Sequence, residues 1–293
     1  MLKITEVGPR DGLQNESKIP TTALKIELIQ KLIQSGLQHI EFGSFVSPKW
    51  VPQMADTATL ATQLPPGAHY SALVPNLKGL EQALQLNVPE IAIFGAASET
   101  FSLKNTNVTR AQSLENFQAV TQQAKAAGIK IRAYISCVLG CPFEGNIQTS
   151  AVVSMAEQLY AMGCYEISLG DTIGVGTPDK VRTLLKAVQT VVPTPQIAVH
   201  FHDTYGQATA NIYAALLEGI TSIDSAVGGL GGCPYALGAT GNVATEEVIY
   251  LLEGLGHKTG VNLPLLVQTG LWLCKTLEIP YRSKVGQALA ATF

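Results

Sequence analysis

Short apolar runs rich in Ile and Val alternate along the chain with longer segments whose apolar residues recur at helical spacing. The runs are ITEVGP (4–9), HIEFGS (39–44), YSALVP (70–75), IAIFGA (91–96), KIRAYIS (130–136), YEISLGD (165–171), IAVHFHD (197–203) and SIDSAVGG (222–229). They have the length and composition of buried parallel strands, and most end at or beside Gly, Pro or Asp. Between them, Thr22 to Ser35 sets Leu24, Leu28, Leu32 and Ile33 on one helical face. Leu114–Ala127, Val152–Met162, Val181–Val192, Ala208–Leu217 and Val248–Leu255 repeat the pattern. Gly36, Gly128, Gly163, Gly219 and Gly256 stand where such helices end.

Strand then helix, repeated eight times, predicts an α/β fold of the (β/α)8 TIM-barrel type. A doubly wound open sheet is the alternative, because periodicity does not report closure. No G-x-G-x-x-G opens a helix after the first strand, which counts against it. Leu263 to Thr276 adds extra C-terminal helices. The expectation is one catalytic domain over 1–293, with the barrel at about 1–256 and a helical extension at about 257–293.

A barrel of this kind carries its chemistry at the C-terminal ends of its strands. Arg10 and Asp11 follow the first strand, Glu41 lies in the second and Asp171 closes the sixth. His200 and His202 end the seventh, and Cys233 and Asn242 lie in the glycine-rich segment after the eighth. Residues two apart on a strand point the same way, so if Val199 and Phe201 face the helices, both imidazoles face the barrel axis. The plain alternative is a histidine pair that only hydrogen-bonds inside the barrel. Two imidazoles, a carboxylate and an amide oxygen suit Mg²⁺ or Mn²⁺, and equally Fe(II) or a catalytic Zn²⁺, with positions left open. Glu41 in an apolar strand needs a partner, and Arg10 is the expected one. The glycines around Cys233 allow a loop that closes over a ligand.

Composition narrows the class. The chain has 293 residues, 46% hydrophobic and 14% charged, with a formal net charge of −3, which excludes a disordered or acidic solvating protein. A pI near 6.0 without a basic run gives no footprint for nucleic acid. Five cysteines spread over this length form no disulfide framework; Cys137 and Cys141 read as structural, Cys164 and Cys274 as core. The first residues lack an apolar signal core, and no stretch reaches the ~18 apolar residues of a membrane span. A cytoplasmic protein with no membrane or nucleic-acid partner is expected.

Several blocks then carry a resemblance: VGPRDGLQNE (7–16), SFVSPKWVPQM (44–54), VPNLKG (74–79), FGAASE (94–99), CYEISLGDTIGVGTP (164–178), HFHDTYGQA (200–208) and GLGGCPYALGATGNVATE (229–246). In this order and over nearly the whole chain, they resemble the hydroxymethylglutaryl-CoA lyase family, metal-dependent barrels related to isopropylmalate-synthase-type condensing enzymes. The resemblance implies cleavage of 3-hydroxy-3-methylglutaryl-CoA to acetyl-CoA and acetoacetate, as in leucine breakdown. It implies Asp11, His200, His202 and Asn242 as ligands of Mg²⁺ or Mn²⁺. Arg10, Glu41, Asp171, His200, Cys233 and Glu246 become the catalytic and supporting set, and a homodimer acting on an acyl-CoA is expected. Ser17 stands where the resemblance leads one to expect a lysine, with Lys18 next to it, and SKVGQALAATF lacks the C-terminal regulatory cysteine of the eukaryotic relatives. A bacterial-type enzyme is expected. Lyases for longer 3-hydroxy-3-alkylglutaryl thioesters and a non-catalytic acyl-CoA-binding barrel are the competing readings.

Overall fold

A computed structural model describes residues 2–232 and 241–291. Eight parallel strands close in sequence order into a barrel. They are β1 (Lys3–Glu6), β2 (His39–Ser44), β3 (His69–Leu73), β4 (Glu90–Ala96), β5 (Lys130–Ser136), β6 (Glu166–Asp171), β7 (Ile197–Phe201) and β8 (Ser222–Ser225). Closure is made where β8 pairs with β1, Ile223 opposite Ile4 and Ser225 opposite Glu6. The open-sheet alternative is thereby excluded.

The helices are α1 (Thr22–Gln34), α2 (Thr57–Ala61), α3 (Leu77–Gln85), α4 (Glu99–Thr106), α5 (Arg110–Ala126), α6 (Thr149–Ala161), α7 (Pro178–Val188), α8 (Ala208–Leu217), α9 (Thr245–Gly254), α10 (Leu263–Leu277) and α11 (Lys284–Ala290). Periodicity anticipated the long ones. It missed α2, which has five residues, and α4, whose sequence ETFSLKNT is poor in strong helix formers. It also missed α3, where Gly79 interrupts the pattern; a Cβ there would crowd Pro75 at 3.1 Å and Phe45 at 3.2 Å. Side-chain caps mark several starts, notably Thr109 with Gln112 in a capping box ahead of α5. The glycines expected to end five helices all have positive φ, from 74° at Gly128 to 100° at Gly36.

Two divisions of side chains follow from the pleat. Outward residues such as Ile131, Ala133, Ile167, Leu169, Val199 and Ile223 join the core with Leu28 and Leu32 of α1 and Met155 and Leu159 of α6. The inward positions of β2, β5, β6, β7 and β8 are instead polar, with Glu41, Arg132, Tyr134, Glu166, Ser168, His200 and Asp224 all buried. No helix among the described residues is long and apolar enough to cross a membrane.

The ends of the first and last strands depart from expectation. After Glu6 the chain leaves the sheet for a π-helical turn at Gly8–Gly12, and after Ser225 it turns at Val227–Gly229. Buried Glu6 joins the two turns: its Oε1 accepts from the N–H of Gly8 at 2.8 Å and of Val227 at 2.9 Å. Its Oε2 accepts from the Thr245 hydroxyl at 2.7 Å. Burial pushes the Glu6 carboxyl up to about 7 despite these donors.

A carboxyl with a raised folded pKa binds more protons folded than unfolded. Its stabilising proton is fully effective below about pH 4.5 and is lost as pH rises to about 7. Glu6→Gln is therefore expected to lose less stability than the parent between pH 5 and pH 8, by about 2–3 kcal/mol in denaturant titrations. Equal losses would show that Glu6 is already ionised in the fold.

Candidate active site and metal centre

The turn after β1 gives Arg10 and Asp11 their directions. Three successive N–H groups, of Arg10, Asp11 and Gly12, converge on the carbonyl of Val7, folding both side chains inward over the barrel mouth. Arg10 Nε is paired with Glu41 Oε1, and its NH1 lies 2.7 Å from Asp11 Oδ1. Burial opposes the Arg10 charge, but Glu41 and Asp11 outweigh it and keep the guanidinium protonated. The expected Arg10–Glu41 pair is thus present.

His200 and His202 both point to the axis, with ring centroids 5.4 Å apart. One ligand atom from each of Asp11, His200 and His202 lies within 4.8 Å of the others. His200 Nε2 is 3.8 Å from Asp11 Oδ2. Burial tends to raise the Asp11 pKa, yet Arg10 and then the histidines hold it below the usual carboxylate range. Burial, then the neighbouring His200, push His202 down to about 4, so it is a neutral imidazole near pH 7. An ionised carboxylate beside a neutral imidazole, with a second imidazole next to it, is the donor set a divalent ion requires, and these residues fit one.

Asn242 reaches this group through a return of the chain. His202 and Asn242 form an antiparallel bridge, with the Val243 N–H donating to Phe201 O at 3.0 Å and the Asp203 N–H to Gly241 O at 2.9 Å. The Asn242 amide N–H₂ donates to Asp11 Oδ2 at 2.7 Å and to Leu230 O at 3.0 Å. The nitrogen, not the oxygen expected as a ligand, thus faces the carboxylate; a half-turn of the amide exchanges them.

Two expected residues stand at the same pole but are turned to backbone. Asp171 accepts from the N–H of Val175 at 3.2 Å and of Gly176 at 2.7 Å, holding the loop after β6. Burial, against those hydrogen bonds, pushes it up to about 6. Glu246 accepts from the Gly228 N–H at 3.0 Å and from the Tyr281 hydroxyl at 2.9 Å, and burial pushes it up to about 8. Neither joins the Asp11–His200–His202 group. Cys233 lies outside the described residues. Cys137, Cys141, Cys164 and Cys274 are buried, as expected.

A second polar layer lies beneath the site and was not anticipated. Arg132, fully buried, reaches Glu166 with Nε at 2.5 Å, the Tyr134 hydroxyl with NH1 at 2.7 Å and Asp224 Oδ1 with NH2 at 2.5 Å. The Tyr134 hydroxyl donates to Glu41 Oε2 at 2.9 Å. The available signal was a charge at an inward position of a short strand, Arg132 in KIRAYIS and Asp224 in SIDS, the same signal that singled out Glu41.

The chain matches the HMGL-like family over residues 1–272. It is 54% identical over 289 residues to the mitochondrial hydroxymethylglutaryl-CoA lyase of Bos taurus, covering 98% of this chain and 89% of that one. The crystal structure of hydroxymethylglutaryl-CoA lyase from Pseudomonas aeruginosa superposes with a TM-score of 0.96 at 53% identity, covering 100% of this chain and 98% of that one. An HMG-CoA lyase from Acinetobacter baumannii, solved in complex with coenzyme A and 3-methylmalate, superposes with a TM-score of 0.94 at 36% identity, covering 98% and 95%. With a closed barrel, a carboxylate–dihistidine group at its mouth and near-full-length likeness to these lyases, the chain belongs to the HMGL-like family of carbon–carbon lyases.

Proposed function

We propose that this chain cleaves 3-hydroxy-3-methylglutaryl-CoA to acetyl-CoA and acetoacetate, as one catalytic unit of barrel plus helical extension. The observation that carries this reading is the Asp11–His200–His202 group beside the Arg10–Glu41 pair, within a chain of this family. We assign Asp11, His200, His202 and the Asn242 amide oxygen, after its half-turn, as ligands of Mg²⁺ or Mn²⁺. The donor set admits Fe(II) and Zn²⁺ equally, and membership of this lyase family is what favours Mg²⁺ or Mn²⁺. Such an ion supplies Lewis-acid chemistry, acidifying the tertiary alcohol and orienting the substrate oxygens.

The protein's own groups do the rest. The alcohol gives up its proton, the O–H electron pair becomes the second C–O bond of the new ketone, and the electron pair of the broken C–C bond leaves as the enolate of acetyl-CoA. Asp171, in a relay with His200, takes the alcohol proton. Its pKa near 6 suits a base that must also release the proton. Arg10, kept charged and aimed by Glu41, steadies the enolate oxygen. Cys233 returns a proton to the enolate carbon. Glu246 supports the turn that leads into the Cys233 segment through its bond to the Gly228 N–H. The active form is a homodimer in the cytoplasm.

Purified protein is expected to release acetoacetate from this thioester, to stop with chelator and to resume with Mg²⁺ or Mn²⁺. Bound metal with an intact thioester would redirect the reading to longer acyl groups, and neither metal nor turnover would overturn it. Cys233→Ala should keep metal and substrate binding while turnover falls at least ~10²-fold in the same assay. Near-parental turnover would remove Cys233 from the chemistry. Elemental analysis of His202→Ala should find the metal largely lost, and full occupancy would remove His202 as a ligand.

A further inference from the structure

A divalent ion beside Asp11 needs a bare lone pair on the His200 nitrogen that faces it. A neutral imidazole presents one N–H and one lone pair, and the partner of the far nitrogen decides which is which. His200 stands between two carboxylates. Its Nε2 faces Asp11 at 3.8 Å, and its Nδ1 faces Asp224 Oδ2 at 3.4 Å. His200 Nδ1 is buried and makes no well-directed hydrogen bond among the described residues. Contacts of this kind are often long before a site is loaded and tighten afterwards.

Asp224 is built to accept that N–H. Its Oδ1 is taken by Arg132 NH2 at 2.5 Å, and its Oδ2 accepts from the Ser168 hydroxyl at 2.7 Å. A carboxylate oxygen has a second lone pair, and on Oδ2 it is available to His200. Both Asp224 oxygens already accept, one from a guanidinium and one from a hydroxyl, so the group meets His200 as an acceptor. The ring plane is held independently, because Tyr134 packs edge-on against His200 with centroids 5.7 Å apart. The hydroxyl of that same Tyr134 is gripped by Arg132 NH1.

Building on the proposed metal site, we infer that Asp224 is a positioning residue that holds the proton of His200 on Nδ1 and so turns the Nε2 lone pair toward Asp11. Arg132 anchors it, and through Tyr134 and Glu41 the same buried chain of charges reaches Arg10. One internal network then sets both a metal ligand and the residue that meets the enolate.

Asp224→Asn gives the sharpest contrast. Arg132 retains the amide oxygen, so the amide N–H₂ takes the Oδ2 place and offers a proton to His200 Nδ1. The ring is then forced into the opposite tautomer, with N–H aimed at Asp11. The test is ¹H–¹⁵N long-range NMR of histidine-labelled, metal-free protein at pH 8. The chain has five histidines, and the His200 signals are those lost in His200→Gln. The parent is expected to carry its proton on Nδ1, Asp224→Asn on Nε2, and Ser168→Ala to keep the parental tautomer. Mn²⁺ affinity, read by electron paramagnetic resonance titration, should fall about 10–100-fold in Asp224→Asn. A parental proton on Nε2 would overturn the inference, as would an Asp224→Asn tautomer like the parent's or an inversion with unchanged Mn²⁺ affinity. Should Asp224→Asn not fold, the parental spectrum decides alone. Thioester cleavage does not enter this test, so loss of the lyase reading and loss of this inference are separate results.

Discussion

The buried guanidinium of Arg132 sets the terms for the interior of this barrel. A charge so far from water is tolerable only when it is well partnered, and Glu166, Tyr134 and Asp224 give each of its three nitrogens a partner. Those partners pass the demand on. Glu166 also accepts from Ser222 at 2.8 Å and pairs with Lys3 at 3.0 Å, tying β6 to β8 and β1. The Tyr134 hydroxyl in turn donates a hydrogen bond to Glu41, whose other oxygen meets Arg10. An apolar filling of similar volume would give the barrel as good a core. It would leave no reason for Glu41, Arg10 or His200 to stand in one orientation rather than another.

Charge also separates the two levels of the interior. The lower level is a network of ions compensating one another within the barrel. At the upper level Asp11 is held ionised by Arg10 and the histidines against its burial, and His202 is held neutral by burial and by His200. These are the protonation states that metal ligation needs, so the site does not have to be titrated into readiness. Asp171 and Glu246 are the opposite case: carboxyls pushed up by burial and held by backbone N–H groups, able to exchange a proton near neutrality.

Much of this was legible in the sequence. Eight strand-like runs and the alternation at His200 and His202 placed the imidazoles on the axis, because the period of two leaves no other choice once Val199 and Phe201 face the helices. Strand ends located Asp171 correctly but not the direction of its side chain, which the loop N–H groups of Val175 and Gly176 decide. Arg132 and Asp224 were passed over for a different reason. Each is a charge at an inward position of a short strand, and its meaning depends on a partner 92 positions away in the chain. The first strand was drawn too long, since nothing local announces that Val7 will collect three N–H groups and wind the chain into a turn.

The stitch between Asn242 and the end of β7 has a consequence for how such a protein can change. Asn242 is fixed by the bridge to His202, by the Leu230 carbonyl and by the Gly241 carbonyl's bond to Asp203, all outside residues 233–240. Leu230 and Gly241 are thereby held to one spot at the barrel mouth. A substitution that shifts the end of β7 or the turn after β8 therefore carries the amide beside Asp11 with it.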